Sequence, residues 1–275
     1  MITGQKPRYF FMNKLTIIAA ILMCHSAVSF AETHLTISPA LLYFDYTEFS
    51  TTDSVLNSET GWLPGLEADL SYAITADWLV AINSSYYQGT VDYDGQTQQG
   101  VPHTTDSDAT LFRFGARLDR LIYRDIRLFA GAQTHQWKRD IKDKNNISGI
   151  DETYEWYEYS LGLNTDFVIT KKDRIKLEAS YLLIRTATVF VDLSRVDLGT
   201  TTLDLGDGAG ARLNLSWLHQ YKSDFNLGLG FFFEGWNFGR SNTRQLENGT
   251  SIIFVTEPRS ETRNIGLKLN IEYMF

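Results

Sequence analysis

The sequence predicts an all-β chain: a closed, antiparallel, up-and-down transmembrane β-barrel of ten strands. Three observations carry that prediction. Apolar and polar residues alternate along segments longer than the roughly five or six residues of an ordinary strand. The connections between those segments alternate short and long, and aromatic residues collect near segment ends. The composition agrees: 43% hydrophobic and 21% charged residues are too apolar for a disordered chain. After residue 31 no apolar run is long enough to cross a bilayer as a helix.

The first segment reads as an address. Residues 1–31 hold Lys6, Arg8 and Lys14 and no acid, then the apolar stretch 15–23, then Ser29-Phe30-Ala31 with small residues where a signal peptidase reads. This is the layout of a secretory signal peptide cleaved after Ala31, leaving 32–275 as the barrel. Met23 before Cys24 is too bulky for a lipoprotein site. Cleavage removes the only cysteine and three cations, taking the net charge from -8 to -11. Nucleic acid is excluded as a partner by that acidity. Disulfides cannot hold such a chain together, so something else must.

The strands follow at 35–48, 61–74, 78–91, 108–122, 126–139, 153–169, 174–186, 208–219, 224–238 and 260–275. In the second, Leu66, Ala68, Leu70 and Tyr72 oppose Glu67, Asp69 and Ser71. In the fourth, Phe112, Phe114 and Leu118 oppose Arg113, Arg117 and Asp119. In the ninth, Leu227, Leu229, Phe231 and Phe233 oppose Asn226, Gly228, Gly230 and Glu234. Each strand thus has one greasy face and one face of charges and glycines.

Alternation alone would fit a soluble sandwich equally well. Loop lengths decide. Short turns fall near 75–77, 123–125, 170–173 and 220–223, and long loops at 49–60, 92–107, 140–152, 187–207 and 239–258. Short turns at one rim and long loops at the other are the rule for membrane barrels. Trp78, Tyr123, Phe167, Trp217, Phe225, Tyr273 and Phe275 lie beside the turns, and Tyr43, Trp62, Tyr86, Trp137, Trp156 and Trp236 lie toward the loops. Two such bands match two water–lipid interfaces. The strand-like pieces 188–191 and 252–255 read as loop hairpins or strand extensions. Counted as transmembrane pairs they would make twelve strands.

In the last strand Ile265, Leu267, Leu269, Ile271, Tyr273 and Phe275 alternate with polar residues. This ending resembles the C-terminal signal of Gram-negative outer-membrane β-barrels. The resemblance implies an assembly signal at Ile271, Tyr273 and Phe275 read by the barrel-assembly machinery. It also implies a place in the cell outer membrane among lipid and lipopolysaccharide. An even strand count puts both termini on the periplasmic side. Lys268 and Glu272 should point inward, and Leu267 and Ile271 toward lipid.

The inward charges are expected to be Glu67, Asp69, Arg113, Arg117, Asp119, Glu158, Asp166, Lys176, Glu178, Arg212, Glu234, Lys268 and Glu272. They should pair across strands or meet water, because lone charges in a narrow lumen are costly. Ten strands lie near the size at which side chains fill a barrel, so a mostly occluded polar lumen is expected.

Catalysis finds little support. The chain is similar in architecture to the omptin proteases, whose pattern sets paired aspartates opposite an Asp–His pair. Asp92-Tyr93-Asp94 matches half of it, but the fourth long loop, with Asp192, Asp197, Asp204 and Asp207, has no histidine. The simpler reading of Asp92-Tyr93-Asp94-Gly95 is a turn. No strand pairs His with Ser as outer-membrane lipid hydrolases do. Asp140, Asp143, Asn145, Asn146, Asp151 and Glu152 could hold Ca²⁺ or ions that bridge lipopolysaccharide phosphates, but a hydrated acidic loop explains them more simply. The expectation is a non-enzymatic, cofactor-free barrel: a narrow porin-like channel for small solutes, or an envelope-structural barrel. The alternatives are a surface-binding barrel acting through its loops, and an omptin-like rim protease.

Overall fold

A computed structural model describes residues 32–97, 100–247 and 252–275. The signal-peptide expectation at 1–31 lies outside the described residues. Ten strands form the barrel: β1 (Thr33–Phe49), β2 (Val55–Ala73), β3 (Trp78–Gln96), β4 (Pro102–Tyr123), β5 (Ile126–Ile141), β6 (Asp151–Val168), β7 (Asp173–Asp192), β9 (Gly208–Lys222), β10 (Phe225–Phe238) and β13 (Arg259–Met274). Each pairs antiparallel with the next. Closure comes from β13 lying between β10 and β1, with Leu267 opposite both Phe231 and Leu41. Closure leaves no strand edge, which hydrocarbon would penalise by several kcal/mol per unpaired amide.

The three remaining strands settle the count at ten. β8 (Thr200–Asp204) pairs only with the outer end of β7, from Thr188 to Asp192. β11 (Arg244–Glu247) and β12 (Ile252–Val255) form a separate hairpin. The segment 188–191 is therefore a strand extension and 252–255 a loop hairpin.

The long loops are shorter than expected, because the strands run on into them. β3 and β4 stay paired out to Gln96 and Pro102. The polar composition of 92–107 hid this. The two-residue period persists there: Tyr93, His103, Thr105 and Ser107 are buried inside, while Asp92, Asp94, Thr104 and Asp106 are exposed outside.

The outer face carries an apolar belt. Leu161, Leu229 and Leu267 are 57%, 61% and 57% exposed, and Leu213 also faces outward. From Ile265 to Tyr273 the belt spans nine residues of β13. At ~3.3 Å per residue and a tilt of ~40° that is about 20 Å, close to the thickness barrels present to lipid. Tyr43, Trp62, Tyr86 and Tyr157 mark its edge on the side of the long hairpins.

Two expectations need correction. Trp137, Trp156 and Trp236 are not in the lipid-facing band: they point inward and are buried. The reason is strand parity, since Trp137 shares its face with His135 and Arg139, both buried. The lumen is accordingly not lined by polar groups alone. Toward the long hairpins the interior is an aromatic core of Phe44, Tyr46, Trp137, Tyr154, Trp156 and Phe238 with aliphatic neighbours. Trp137 stacks on Tyr154 at 4.6 Å between centroids, and Trp156 meets Phe238 edge-on at 5.2 Å.

Glycines make room for this core. The Phe232 ring lies against Gly266, and the Tyr87 ring against Gly65, so that a Cβ at either position would run into the ring. Gly266→Ala is expected to lower the unfolding free energy by about 1–3 kcal/mol through overpacking. Urea unfolding in lipid vesicles measures this, and an unchanged midpoint would show that the ring is not seated there.

Candidate functional site: a lumen in two halves

The half of the lumen beside the short turns contains a cavity of about 590 Å³. It reaches the rim at Glu32, Arg124 and Asp125 and ends below Phe232, Arg212 and Glu234. All thirteen charged residues assigned to the lumen from sequence lie on the inner face, and most are tied into ion pairs. Arg212 grips Glu158 with two bonds, of 2.9 and 3.0 Å, and reaches Glu234 at 2.9 Å. Arg113 meets the same Glu234 oxygen at 2.8 Å. His135 closes on Glu158 at 3.2 Å. Lys268 binds Glu67 at 2.7 Å, and the Tyr87 hydroxyl donates to the other Glu67 oxygen at 2.7 Å.

Nearer the turns, Arg117 bridges Asp119, at 3.1 Å, and Glu178. Lys176, at 2.6 Å, and Arg174 converge on Glu272, and Arg174 also reaches Asp166 at 3.4 Å. Asp69 stands in the field of Arg117 and Lys176. Most of these carboxylates are met by a cation from another strand, while Asp119 pairs with Arg117 of its own strand and accepts from Asn164 of β6. The network therefore braces the barrel and presents little net charge to a solute. Arg174 was missed from sequence because it opens its strand beside a turn. Asn226 and Asn264, which donate to Glu272 at 2.7 Å and Glu234 at 3.2 Å, are uncharged and gave no signal.

A second charged cluster, also not foreseen, lies beyond the aromatic belt. Arg139 is 3% exposed and is surrounded by carboxylates: Glu59 at 2.9 Å, Glu48 at 3.1 Å and Glu152 at 3.2 Å. Its guanidinium also lies over the Tyr46 and Trp137 rings at 5.3 and 5.4 Å. A fourth carboxylate, Glu257, arrives from the segment before β13 and accepts from Tyr154 at 2.6 Å. Glu48, Glu59 and Arg139 were legible by parity, but they fell at or past the expected strand ends.

Arg139 and the aromatic core plug the lumen at this level. Among the described residues no group of His, Cys, Asp and Glu is placed to hold a metal ion. The acidic residues 140–152 make ion pairs instead: Arg195 reaches Asp140 at 2.8 Å and Asp151 at 2.9 Å. The contact with Arg195 raises that guanidinium's pKa, chiefly by its bond to Asp140. Glu152 turns inward to Arg139.

Asp92 and Asp94 lie on the outer face, where Asp92 sits across from Asp106 and Asp94 accepts from Thr104 at 3.4 Å. His103 points the other way, into the barrel against Tyr93. The two aspartates and the histidine are thus on opposite sides of the barrel wall, and no water could be held between them.

No family model matches the chain, and no curated protein is similar to it in sequence. Solved structures do align. The outer membrane protease OmpT from Escherichia coli is 8% identical over 91% of this chain and 99% of that chain, with a TM-score of 0.61. The translocator domain of the autotransporter NalP from Neisseria meningitidis gives 0.44 at 9% identity, over 95% and 93% of the two chains. OprG from Pseudomonas aeruginosa gives 0.37 at 7% identity, over 88% and 95%. At such identity the likeness to OmpT establishes a shared fold and nothing about activity.

Proposed function

We propose that this chain, whose fold is that of the outer-membrane β-barrels, is an occluded, envelope-structural barrel of the Gram-negative outer membrane. Its short turns and both termini face the periplasm. The observation that carries this reading is the plug: aromatic rings and the Arg139 cluster fill the lumen on the side of the long hairpins, so the charged cavity is a blind vestibule. The thirteen inward charges then serve as internal bracing. A porin-like path for small solutes is the weaker form of the same reading.

Planar-bilayer conductance tests it. The native barrel should show conductance near zero at neutral pH. The pair Trp137→Ala and Trp156→Ala, which empties the plug, should give measurable steps. Steady conductance by the native barrel would overturn the occluded reading.

The non-enzymatic part of the proposal rests on the outward placement of Asp92 and Asp94. The assembly-signal part rests on Ile271, Tyr273 and Phe275 sharing the lipid-facing side of the closing strand, where Tyr273 meets Phe275 edge-on at 4.7 Å. Lipid, lipopolysaccharide and the barrel-assembly machinery are the partners this location brings.

One observation favours surface binding as a second reading. Ile252 and Phe254 are 60% and 64% exposed on the β11–β12 hairpin, beyond the lipid belt. Deleting 243–256 without loss of any surface partner would dispose of it.

A further inference from the structure

We propose that Arg120, laid over the Trp78 ring at the turn-side edge of the lipid belt, holds the phosphate group of a membrane phospholipid. The observation beneath this is a charge without a protein partner on a greasy face. Strand parity puts Arg120 on the outer side of β4, between Leu118 and Ile122, both exposed. Across the sheet it stands opposite Trp78 of β3 on one side and Leu128 of β5 on the other. All four neighbours on that face are apolar or aromatic. The side chain is exposed, and among the described residues its guanidinium makes no ion pair and no hydrogen bond.

Such a group is out of place if it meets hydrocarbon alone. A guanidinium does not shed its proton in proteins, and an unmatched cation on a lipid face is costly. The long aliphatic stem lets the charged head reach the headgroup layer. The anion in that layer is phosphate. The planar fork of arginine matches two phosphate oxygens with two parallel N–H bonds, which a lysine cannot do.

Trp78 positions the head. Arg120 Cζ lies 5.2 Å from the ring centroid, within the range where the π face attracts a cation. Trp78 belongs to the aromatic band beside the short turns, and such rings sit at headgroup level. The turn before it is closed on this residue. The Trp78 carbonyl accepts from the Ile74 and Thr75 amides at 2.9 and 3.2 Å, and the Trp78 amide donates to Thr75 Oγ1 at 3.1 Å.

The other charges nearby are placed elsewhere. Arg127 donates to the Asp77 carbonyl at 3.2 Å. Arg124 lies over Tyr123 at 5.1 Å and lines the vestibule mouth with Asp125. Asp77 and Asp125 sit in turns, past the strand ends, and neither forms an ion pair among the described residues. The outer face around Arg120 is left without an acid. Free phosphate is a poor fit, because Leu118, Ile122 and Leu128 surround the site with surface that acyl chains cover. A lipid brings its phosphate already seated at that depth.

The inference rests on the reading that lipid surrounds the belt. The test places the full barrel in vesicles of phosphatidylglycerol mixed equally with digalactosyl diacylglycerol, an uncharged lipid without phosphate. Native mass spectrometry counts the lipids that stay bound on release. Phosphatidylglycerol should be retained in preference. Arg120→Gln should lower that preference about fivefold, equivalent to the ~1 kcal/mol of one arginine at an anionic surface. Trp78→Leu should lower it part of the way, since the charge stays and the platform goes. Lys171→Gln with Lys172→Gln, at another turn, should leave the Arg120-dependent part unchanged. Circular dichroism and heat-dependent gel mobility confirm that each variant is a closed barrel.

Equal retention of the two lipids by the native barrel overturns the inference. So does a preference that Arg120→Gln leaves intact, or one that excess inorganic phosphate abolishes, which would mark an ion site and not a lipid site. The lipid belt is judged separately, by the stability of Leu229→Arg, so either idea can fail alone.

Discussion

Replacing Arg139 with methionine should destabilise the barrel by about 3–5 kcal/mol near pH 8, the usual loss when one partner of a buried ion pair is removed. Methionine keeps most of the volume, so the effect reports charge more than packing. Near pH 5 the loss should be much smaller, because Glu59 and Glu152, which burial already raises, can then take protons in place of the guanidinium. Those carboxyls sit at 0% and 5% exposure, out of reach of water that could screen them. Burial already raises Glu59 and Glu152, so removing the counter-charge raises them again and extends the pH dependence upward. Urea unfolding in vesicles at the two pH values measures the difference. Equal losses at both would mean that Arg139 acts through its contacts with Tyr46 and Trp137, not through the carboxylates.

The strand period was legible in the sequence because lipid and lumen demand opposite chemistry on alternate residues. Leu161, Leu229 and Leu267 show that rule directly. The same rule misled at the outer end. There the barrel leaves the bilayer, water replaces lipid outside and the plug replaces water inside. The polarity of the two faces is therefore reversed: Asp92 and Asp94 face out, and Tyr93 faces in. A reading that equates aromatic with outward puts Trp137, Trp156 and Trp236 in the interface band. Counting parity from Arg113 or Glu158, which stay inward throughout, would have placed them correctly.

The lumen charges were recoverable one by one, but their pairing was not. Arg212 and Glu158 are 54 positions apart, and only the barrel's stagger sets them face to face. The Arg139 cluster was hidden for a related reason. Its members come from β1, β2, β5, β6 and the segment before β13, and none is unusual in its own neighbourhood.

The second large effect bears on the solvent itself. Leu229 is the middle outward residue of β10, flanked across the sheet by Trp217 and Leu269. If lipid surrounds the belt, Leu229→Arg should cost about 2–4 kcal/mol, the penalty for a cation near the bilayer midplane. Thr90→Arg, also exposed but four residues beyond Tyr86 and past the belt, should stay within about 0.5 kcal/mol, as for an ordinary surface change. The two substitutions add the same side chain to the same kind of site, an exposed outward position on a strand. In water they would be equivalent, since arginine at an exposed site buries nothing. A difference of several kcal/mol between them in vesicles can come only from depth in hydrocarbon. Two equal, small effects would mean that the greasy side of this barrel does not face a membrane.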